Sequence, residues 1–278
     1  MTTLALTPPA ENGLVQVITI GACMAMAVIG MAVLAVRGFR EWRNQGRPAL
    51  LVLLAGSLVA YLTLPGLDLY AGFRFSPPTS FSPNVIRLFG LDEPLWTLTF
   101  CPLYIALPAY LAYTAFAQGW TLARLWRVLF LLTAVDLAIE LPAVNLTRVY
   151  TYRGDQPLEL LNVPLIWPMA YFIAPMYLGA IVHHLSSYLH GARWLLVVPL
   201  AGSGYLAFLP MIAWPGVIAV HDGSTHPVGR TLLGLAAIAV ELAAFHLLAL
   251  RLKPGVPGSP ADVGNSAQHL RQGPLSAL

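Results

Sequence analysis

The sequence predicts an all-α fold, a polytopic transmembrane bundle of seven helical spans. Hydrophobic residues make up 58% of the 278 residues and charged residues only 10%, whereas soluble domains carry about 25% charged residues. Seven segments contain runs of roughly 20 apolar residues, the length that a helix needs to cross the hydrocarbon core of a bilayer. The chain is therefore expected to be a multi-pass protein of the cell membrane.

The seven spans follow one another along the chain. The first, at residues 14–36, is too long for a cleaved signal peptide and lacks the basic start of one. The second, at residues 48–70, is interrupted near its end by Pro65, Gly66 and Asp68. The others are predicted at residues 93–117, 125–146, 164–189, 194–220 and 231–250.

The loops between these spans predict the orientation of the bundle. Of the 15 Lys and Arg residues, ten fall at one set of span ends and five at the opposite set. Cytoplasmic loops are the richer in Lys and Arg, so the N-terminus is expected outside and the C-terminus in the cytoplasm. The net charge of +3 then reflects topology, and no nucleic-acid partner is predicted.

The chain shows no internal repeat, and we assign residues 1–253 to a single seven-helix transmembrane domain. Residues 254–278 are rich in Gly, Pro and Ser and predict a disordered cytoplasmic tail. Cys23 and Cys101 both fall within spans, a position typical of small buried apolar residues rather than of a structural disulfide.

Acidic residues at membrane depth are the strongest functional signal. Asp136 and Glu140 interrupt an apolar run in the fourth span, and a spacing of four places both carboxyls on one helix face. A charged group at the centre of a bilayer costs roughly 2.5–3.5 kcal/mol on insertion scales. Glu241, near the middle of the seventh span, is expected at a depth similar to that of Asp136. Interhelical hydrogen bonding is the structural alternative for all three.

Polar and aromatic residues near the same ends of the spans could complete a pocket around these acids. Aromatic ring faces stabilise cations by up to about 2 kcal/mol when desolvated, although Trp and Tyr also form belts at membrane surfaces. The predicted substrate-binding residues are Asp68, Trp96, Tyr150, Tyr152, Gln156, Trp167 and Tyr171.

Several activities are excluded by what the sequence lacks. Lys253 is the only lysine and lies beyond the last span, so no retinal Schiff base can form within the bundle. The seven histidines do not form the repeated boxes of a membrane di-iron oxygenase. The Asp-rich pair of membrane prenyltransferases, a Gly-rich phosphate loop and a Gly-x-Ser-x-Gly elbow are also missing from the sequence. No metal and no organic cofactor is predicted.

The segment from Glu140 to Trp167 contains the order Glu140, Tyr150-Thr151-Tyr152, Gly154, Pro157-Leu158 and Pro164. It resembles small polytopic carotenoid-modifying hydratases and cyclases, in which a Glu-bearing helix leads into a Gly-x-Tyr-x-Tyr turn and a helix that begins at proline. It is similar, more loosely, to seven-span membrane terpene cyclases and to a stretch of actinobacterial membrane proteins. Arg148 stands where the turn would have its glycine.

The resemblance implies proton-initiated cyclisation or hydration of a lipophilic isoprenoid of the terpenoid or carotenoid type. In that interpretation Glu140 donates the proton, Asp136 holds and tunes it, and Glu241 removes a proton or positions water. Two alternatives stay open, namely a proton-coupled transporter that uses the same acids as a relay and a membrane scaffold without catalysis. The predicted partners are a lipophilic small molecule and the lipid bilayer.

Overall fold

The computed structural model describes residues 13–79 and 82–252. Within them, seven helical segments are long and apolar enough to cross a membrane, which confirms the predicted fold class to that extent. The tail predicted at residues 254–278 lies outside the described residues. The segments are Leu14–Gln45, Ala49–Ala71, Leu95–Gln118, Leu122–Thr147, Ile166–Leu185, Gly191–Ile212 and Pro227–Ala249.

The first helix, α1 (Leu14–Gln45), is longer than the predicted span and continues past its basic residues to Gly46. Gly46 adopts a left-handed conformation (φ 67°) and donates its N–H to the carbonyl of Trp42, the usual way in which a glycine ends a helix. Only 11% of the most apolar 18-residue window of α1 is buried. Most of its surface is therefore left uncovered by the rest of the bundle.

The second span consists of three pieces: α2 (Ala49–Ala60), a 3₁₀ turn (Tyr61–Thr63) and α3 (Leu64–Ala71). Pro65 explains the break, because proline has no N–H for the helix ladder and disfavours helical geometry just before it. The helix α3 ends at Gly72 (φ 68°), where a Cβ atom would overlap the carbonyl oxygen of Arg153. A glycine is therefore required for the later loop to pack against the end of α3.

Three short antiparallel ribbons lie in the loops, where the sequence analysis predicts no strands. The first pairs β1 (Phe73–Phe75) with β4 (Tyr150–Tyr152), so it joins the loops that follow the second and fourth spans. The second pairs β2 (Asn84–Leu88) with β3 (Leu91–Pro94). The third pairs β5 (Glu159–Leu160) with β6 (Val163–Pro164). We call the end of the bundle that carries β1 and β4 the ribbon end.

The third and fourth spans are formed by α4 (Leu95–Gln118) and α5 (Leu122–Pro142). After Pro142 the chain widens into a π-helical turn, Ala143–Thr147, because proline has no N–H for the helix ladder. Arg148 closes the turn in a left-handed conformation (φ 50°). That conformation is unusual for a residue with a side chain. Arg148 stands at the position where the similar turn of carotenoid-modifying hydratases and cyclases would have glycine.

The helix α6 (Ile166–Leu185) is the most buried of the spans, with 78% of its most apolar window covered. It packs against α4 and α5, and also against α7 (Val197–Ile212) and α9 (Pro227–Ala249). The sixth span was expected to continue to residue 220, but the helix stops at Ile212 and resumes as α8 (Trp214–His221). Pro215 in the first turn of α8 accounts for the break, because proline cannot continue the preceding helix.

Candidate functional site

A largely apolar cavity of about 120 Å³ lies at the ribbon end of the bundle. Its walls come from α1, α3, α4, α5, α6 and α7 together with the β1–β4 ribbon. Two carboxyl groups, those of Asp68 and Glu140, lie in these walls. Aromatic rings supply much of the remaining lining: Phe73, Phe75, Trp96, Phe100, Tyr104, Tyr150, Tyr171 and Tyr205.

The β1–β4 ribbon turns one aromatic face towards the cavity, because residues two apart in a strand lie on the same side. Its register places Phe73 opposite Tyr152 and Phe75 opposite Tyr150. The ring of Phe73 stacks on that of Tyr150 with centroids 4.3 Å apart and meets the ring of Tyr152 edge-on at 5.0 Å. The ring of Phe75 meets Trp96 of α4 edge-on at 5.4 Å. The ribbon thus covers this end of the cavity.

The predicted pair of acids on α5 is buried, with Asp136 1% and Glu140 3% exposed. Tyr152 donates its hydroxyl to Glu140 Oε1 at 2.8 Å, and Tyr104 donates its hydroxyl to Asp136 Oδ1. The second oxygen of each carboxyl has no hydrogen-bond partner among the described residues. Glu140 lines the cavity and Asp136 does not. Glu140 is therefore the acid of this pair that a ligand in the cavity would meet.

Tyrosine hydroxyls surround Glu140. Tyr150 lies close to the same carboxyl, and the hydroxyls of Tyr152 and Tyr171 are 3.4 Å apart. Burial, reinforced by the nearby charge of Glu140, raises the pKa of Tyr152. The phenol therefore keeps its proton and acts as the donor in its hydrogen bond to Glu140. These contacts fix the position of one carboxyl oxygen and stabilise its charged form.

A second pair of carboxyls, Asp68 and Glu93, lies at another wall of the cavity. Asp68 on α3 is 6% exposed and lines the cavity, while Glu93 on β3 is fully buried behind it. The two carboxyls lie close to one another, and because adjacent carboxylates repel, ionisation of one disfavours ionisation of the other. Neither oxygen of Glu93 has a hydrogen-bond partner among the described residues.

Glu93 lies just before the first turn of α4, outside the membrane-length segments. Burial raises the pKa of Glu93 to about 7, with a further upward contribution from Asp92, against the opposing effects of Asp68 and Arg74. Half-buried Arg74 in turn has its pKa lowered by burial and by the charge of Arg153. The pair can therefore hold or release a proton near neutral pH.

Three of the predicted substrate-binding residues, Tyr152, Gln156 and Trp167, do not line the cavity. Gln156 donates its amide to the carbonyls of Ala71 at 2.8 Å and Arg153 at 2.7 Å, and its Oε1 accepts the indole N–H of Trp167 at 3.2 Å. The Trp167 ring is fully buried and stacks at 6.4 Å on Tyr171. These two residues fasten the loop after β4 to the end of α3 and support Tyr171 from behind. The other predicted residues, Asp68, Trp96, Tyr150 and Tyr171, line the cavity, and Tyr152 binds Glu140.

Glu241 is not brought to the cavity. It is fully buried on α9, and neither carboxyl oxygen has a partner among the described residues. The contact between Trp126 of α5 and Phe245 of α9, with centroids 4.6 Å apart, sets the two helices in register. From that contact Asp136 lies ten residues along α5 and Glu241 four residues back along α9, so at 1.5 Å per residue their depths differ by about 9 Å. Asp136 and Glu241 are therefore not at the similar depth expected from the sequence, and α9 packs mainly on α8 and α6.

Several cavity residues were not among the predicted site residues. Tyr104 follows Trp96 and Phe100 at a spacing of four, so the amphipathic period of α4 already indicates that these rings share a face. Phe73 and Phe75 reach the cavity only through the pairing of β1 with β4, and Glu93 reaches Asp68 only through the packing of β3 on α3. Sequence spacing carries no signal for those two long-range contacts.

Within the described ranges, no group of three or more His, Cys, Asp and Glu side chains is placed to hold a metal ion. No protein-family model, no curated protein and no solved structure matches this chain. The resemblance carried by the segment from Glu140 to Trp167 thus stays a prediction. The function has to be argued from the cavity.

Proposed function

We propose that this protein is an integral membrane enzyme that starts the cyclisation or hydration of a lipophilic isoprenoid by protonating it, with Glu140 as the proton donor. The observation that carries the proposal is the state of the Glu140 carboxyl. One oxygen is held by Tyr152 at 2.8 Å, the other has no partner, and the group lies in the wall of an apolar cavity lined by aromatic rings. The proposed orientation has the N-terminus outside and the C-terminus in the cytoplasm.

The chemistry follows from these contacts. The protonated form of Glu140 transfers its proton to one carbon of an alkene, or to the oxygen of an epoxide, and a carbocation forms on the substrate. The carboxylate left on Glu140 keeps the hydrogen bond from Tyr152, which stabilises negative charge. The rings of Tyr104, Phe100 and Trp96 lie in the cavity wall, where the attraction of an aromatic ring for a cation is worth up to about 2 kcal/mol in a site without water.

The reaction ends when the cation loses a proton from a neighbouring carbon or gains the oxygen of water. In our proposal the base is the Asp68–Glu93 pair, because Asp68 lies in the cavity wall and Glu93 can share the acquired proton. Glu241, the second carboxyl predicted from the sequence, is assigned no step, because it does not line the cavity. Asp136 does not meet the substrate. It lies one turn before Glu140 on the same face of α5, where it places a second polar group beneath Glu140.

The size of the cavity suggests which part of a substrate it holds. A cavity of about 150 Å³ in another protein holds benzene, and the present cavity measures about 120 Å³. It therefore accommodates the reacting end of an isoprenoid, roughly one ring, while the remainder of the chain lies outside it. A long linear carotenoid would react only at its terminal unit.

A test uses heavy water to follow the proton. Membranes containing the protein are supplied with a panel of linear isoprenoids and their terminal epoxides in D₂O, and the products are analysed by mass spectrometry and NMR. An enzyme that protonates an alkene places one solvent deuterium on a defined carbon of the product. Cyclised or hydrated product without deuterium from an alkene substrate would contradict protonation as the first step.

A proton-coupled carrier is the second candidate, because two carboxyl pairs at different walls of one cavity also suit a proton relay. Proteoliposomes that contain a pH-sensitive dye distinguish the two candidates. A carrier moves protons when the isoprenoid gradient is imposed and returns the substrate unchanged. The enzyme converts the substrate and moves no net protons across the bilayer.

A further inference from the structure

A gap separates α1 from α5 along the side of the bundle. The helix α1 packs on α2 and α4, whereas α5 packs on α6. Between α1 and α5 themselves the structure shows at most slight contact. The half-buried rings of Phe100 and Tyr104 on α4 lie behind this gap, tilted against one another with centroids 4.9 Å apart.

The gap is closed towards the ribbon end by one hydrogen bond. Gln16, 4% exposed near the start of α1, donates its side-chain amide to the carbonyl of Arg148 at 2.8 Å. Arg148 offers that carbonyl because it ends the π-helical turn after α5 in a left-handed conformation. The π-helical turn also packs on α1. We call this contact the Gln16–Arg148 clasp.

Below the clasp, the cavity reaches the gap. Cys23 of α1 and Ile139 of α5 both line the cavity, and Ile139 is 36% exposed on the outer surface of the bundle. Cys23 lies seven residues beyond Gln16 along α1, so it is about 10 Å deeper than the clasp at 1.5 Å per residue. Both side chains belong to membrane-length helices. A passage between these two side chains would therefore lie within the membrane-length part of the bundle, at the depth of the lipid hydrocarbon.

Among the residues that the structure describes, the other end of the cavity offers no comparable opening. The β1–β4 ribbon covers it, with Phe73 8% and Tyr150 7% exposed. The rings of the ribbon pack closely on one another and on Trp96. A molecule coming from water on that side would have to displace buried aromatic side chains.

We propose that the gap between α1 and α5 is a lateral window through which the apolar substrate passes between the bilayer and the cavity. This inference rests on the proposed function for the class of substrate, an isoprenoid. The window opens next to the reacting group, since Glu140 follows Ile139 directly in the chain. The part of the chain that the cavity cannot hold stays in the hydrocarbon between the two helices.

The experiment measures the rate at which a dansyl-labelled farnesol, dissolved in phosphatidylcholine liposomes, enters the full-length protein. Energy transfer from Trp96 to the dansyl group reports its arrival, and a Trp96→Phe protein identifies the part of the signal that comes from this donor. A larger side chain narrows the proposed window from either helix, with Cys23→Phe on α1 or Ile139→Phe on α5. We call these two the rim variants. The matched controls are Ala25→Phe and Ala138→Phe, which add the same ring to exposed neighbouring positions on the same helices.

Each rim variant should slow both association and dissociation about tenfold, at the low end of the range that association rates span among variants of one site. The dissociation constant should stay nearly unchanged, because a narrowed entrance affects both directions equally. Both controls should behave like the unmodified protein. Two rim positions on separate helices keep the test valid if one variant fails to accumulate.

Unchanged rates in an accumulating rim variant would overturn the window, as would an unmodified protein that takes up no probe from the bilayer. The measurement needs no turnover, so it is independent of the proposed chemistry. Slowed uptake together with products that lack deuterium would leave the window standing and remove the acid role of Glu140. Deuterated products together with unchanged uptake rates would do the reverse.

Discussion

Glu140 and Glu241 are both buried glutamates on membrane-length helices, with 3% and 0% of their surfaces exposed, yet their surroundings differ. Glu140 has a tyrosine donor and a cavity in front of it. Glu241 has no partner for either oxygen among the described residues and does not line that cavity. Burial of an acid in a membrane bundle is thus a common feature of both regions. The two regions differ in access to a space that a ligand can fill, which Glu140 has and Glu241 lacks.

The largest expected effect is on catalysis, and it tests this comparison directly. Glu140→Gln should lower turnover about 10²–10⁴-fold, the usual contribution of a positioned acid, because the amide cannot donate the proton. Glu241→Gln should leave turnover within about threefold, as expected for a side chain far from the reacting atoms. Turnover is measured per folded protein, with folding checked by gel filtration in detergent. Equal losses in the two variants would remove the distinction between the two regions.

A smaller effect is expected from the tyrosine that holds Glu140. Tyr152→Phe removes a hydrogen bond to a charged group, worth about 1.5–3 kcal/mol, so turnover should fall about 10- to 100-fold. Tyr177→Phe is the matched control, since Tyr177 donates to the carbonyl of Ala244 at 2.6 Å and does not line the cavity. If Tyr177→Phe costs as much turnover as Tyr152→Phe, the hydrogen bond to Glu140 has no special role.

The third prediction concerns stability at Glu241. A buried carboxyl without a hydrogen-bond partner carries a desolvation penalty of about 1–3 kcal/mol, so Glu241→Leu should raise the melting temperature in detergent. Glu140→Leu should not give this gain, because it leaves the hydroxyl of Tyr152 without its acceptor. A lower melting temperature for Glu241→Leu would show that Glu241 has a partner in the membrane that stabilises the fold.

The smallest expected effect extends the comparison to Glu93, a third buried glutamate. Its pKa is raised from 4.5 to about 7, so the folded protein binds a proton over that range that the unfolded chain has released. Stability contributed by this proton is present at low pH and declines as the pH rises from 4.5 to about 7. The melting temperature should therefore fall over this interval by about 2–4 °C per kcal/mol lost. Glu93→Gln should flatten the profile, and an unchanged slope in that variant would assign the titration to another group.

Much of the fold could be predicted because it depends on local properties of the chain. Length and hydropathy locate the spans, and a spacing of four places Asp136 and Glu140 on one face of α5. The break at residues 61–63 follows from Pro65, which the sequence already marks as an interruption, whereas the break at Ala213 was not predicted, although Pro215 accounts for it. These features need no knowledge of which helices are neighbours.

The cavity depends on contacts between distant parts of the chain, and there the sequence is a weaker guide. The pairing of Phe73 with Tyr152 and the contact of Asp68 with Glu93 bring together residues from separate loops and helices. The depth of Glu241 depends on how α9 is set against α5. Hydropathy is the same for every helix arrangement that buries the same faces, so it cannot select among them.

The contact between α4 and α6 fixes the width of the cavity. At Gly179 the backbones of the two helices touch, and a Cβ atom there would overlap the backbone of Ala109. The separation of the walls that carry Tyr104 and Tyr171 is thus set by main chain, which cannot rotate aside as a side chain would. A single methyl group added at Gly179 would push α4 and α6 apart and widen the whole cavity, not only one part of it. A change of one residue at the contact between α4 and α6 would accordingly alter the size of the product.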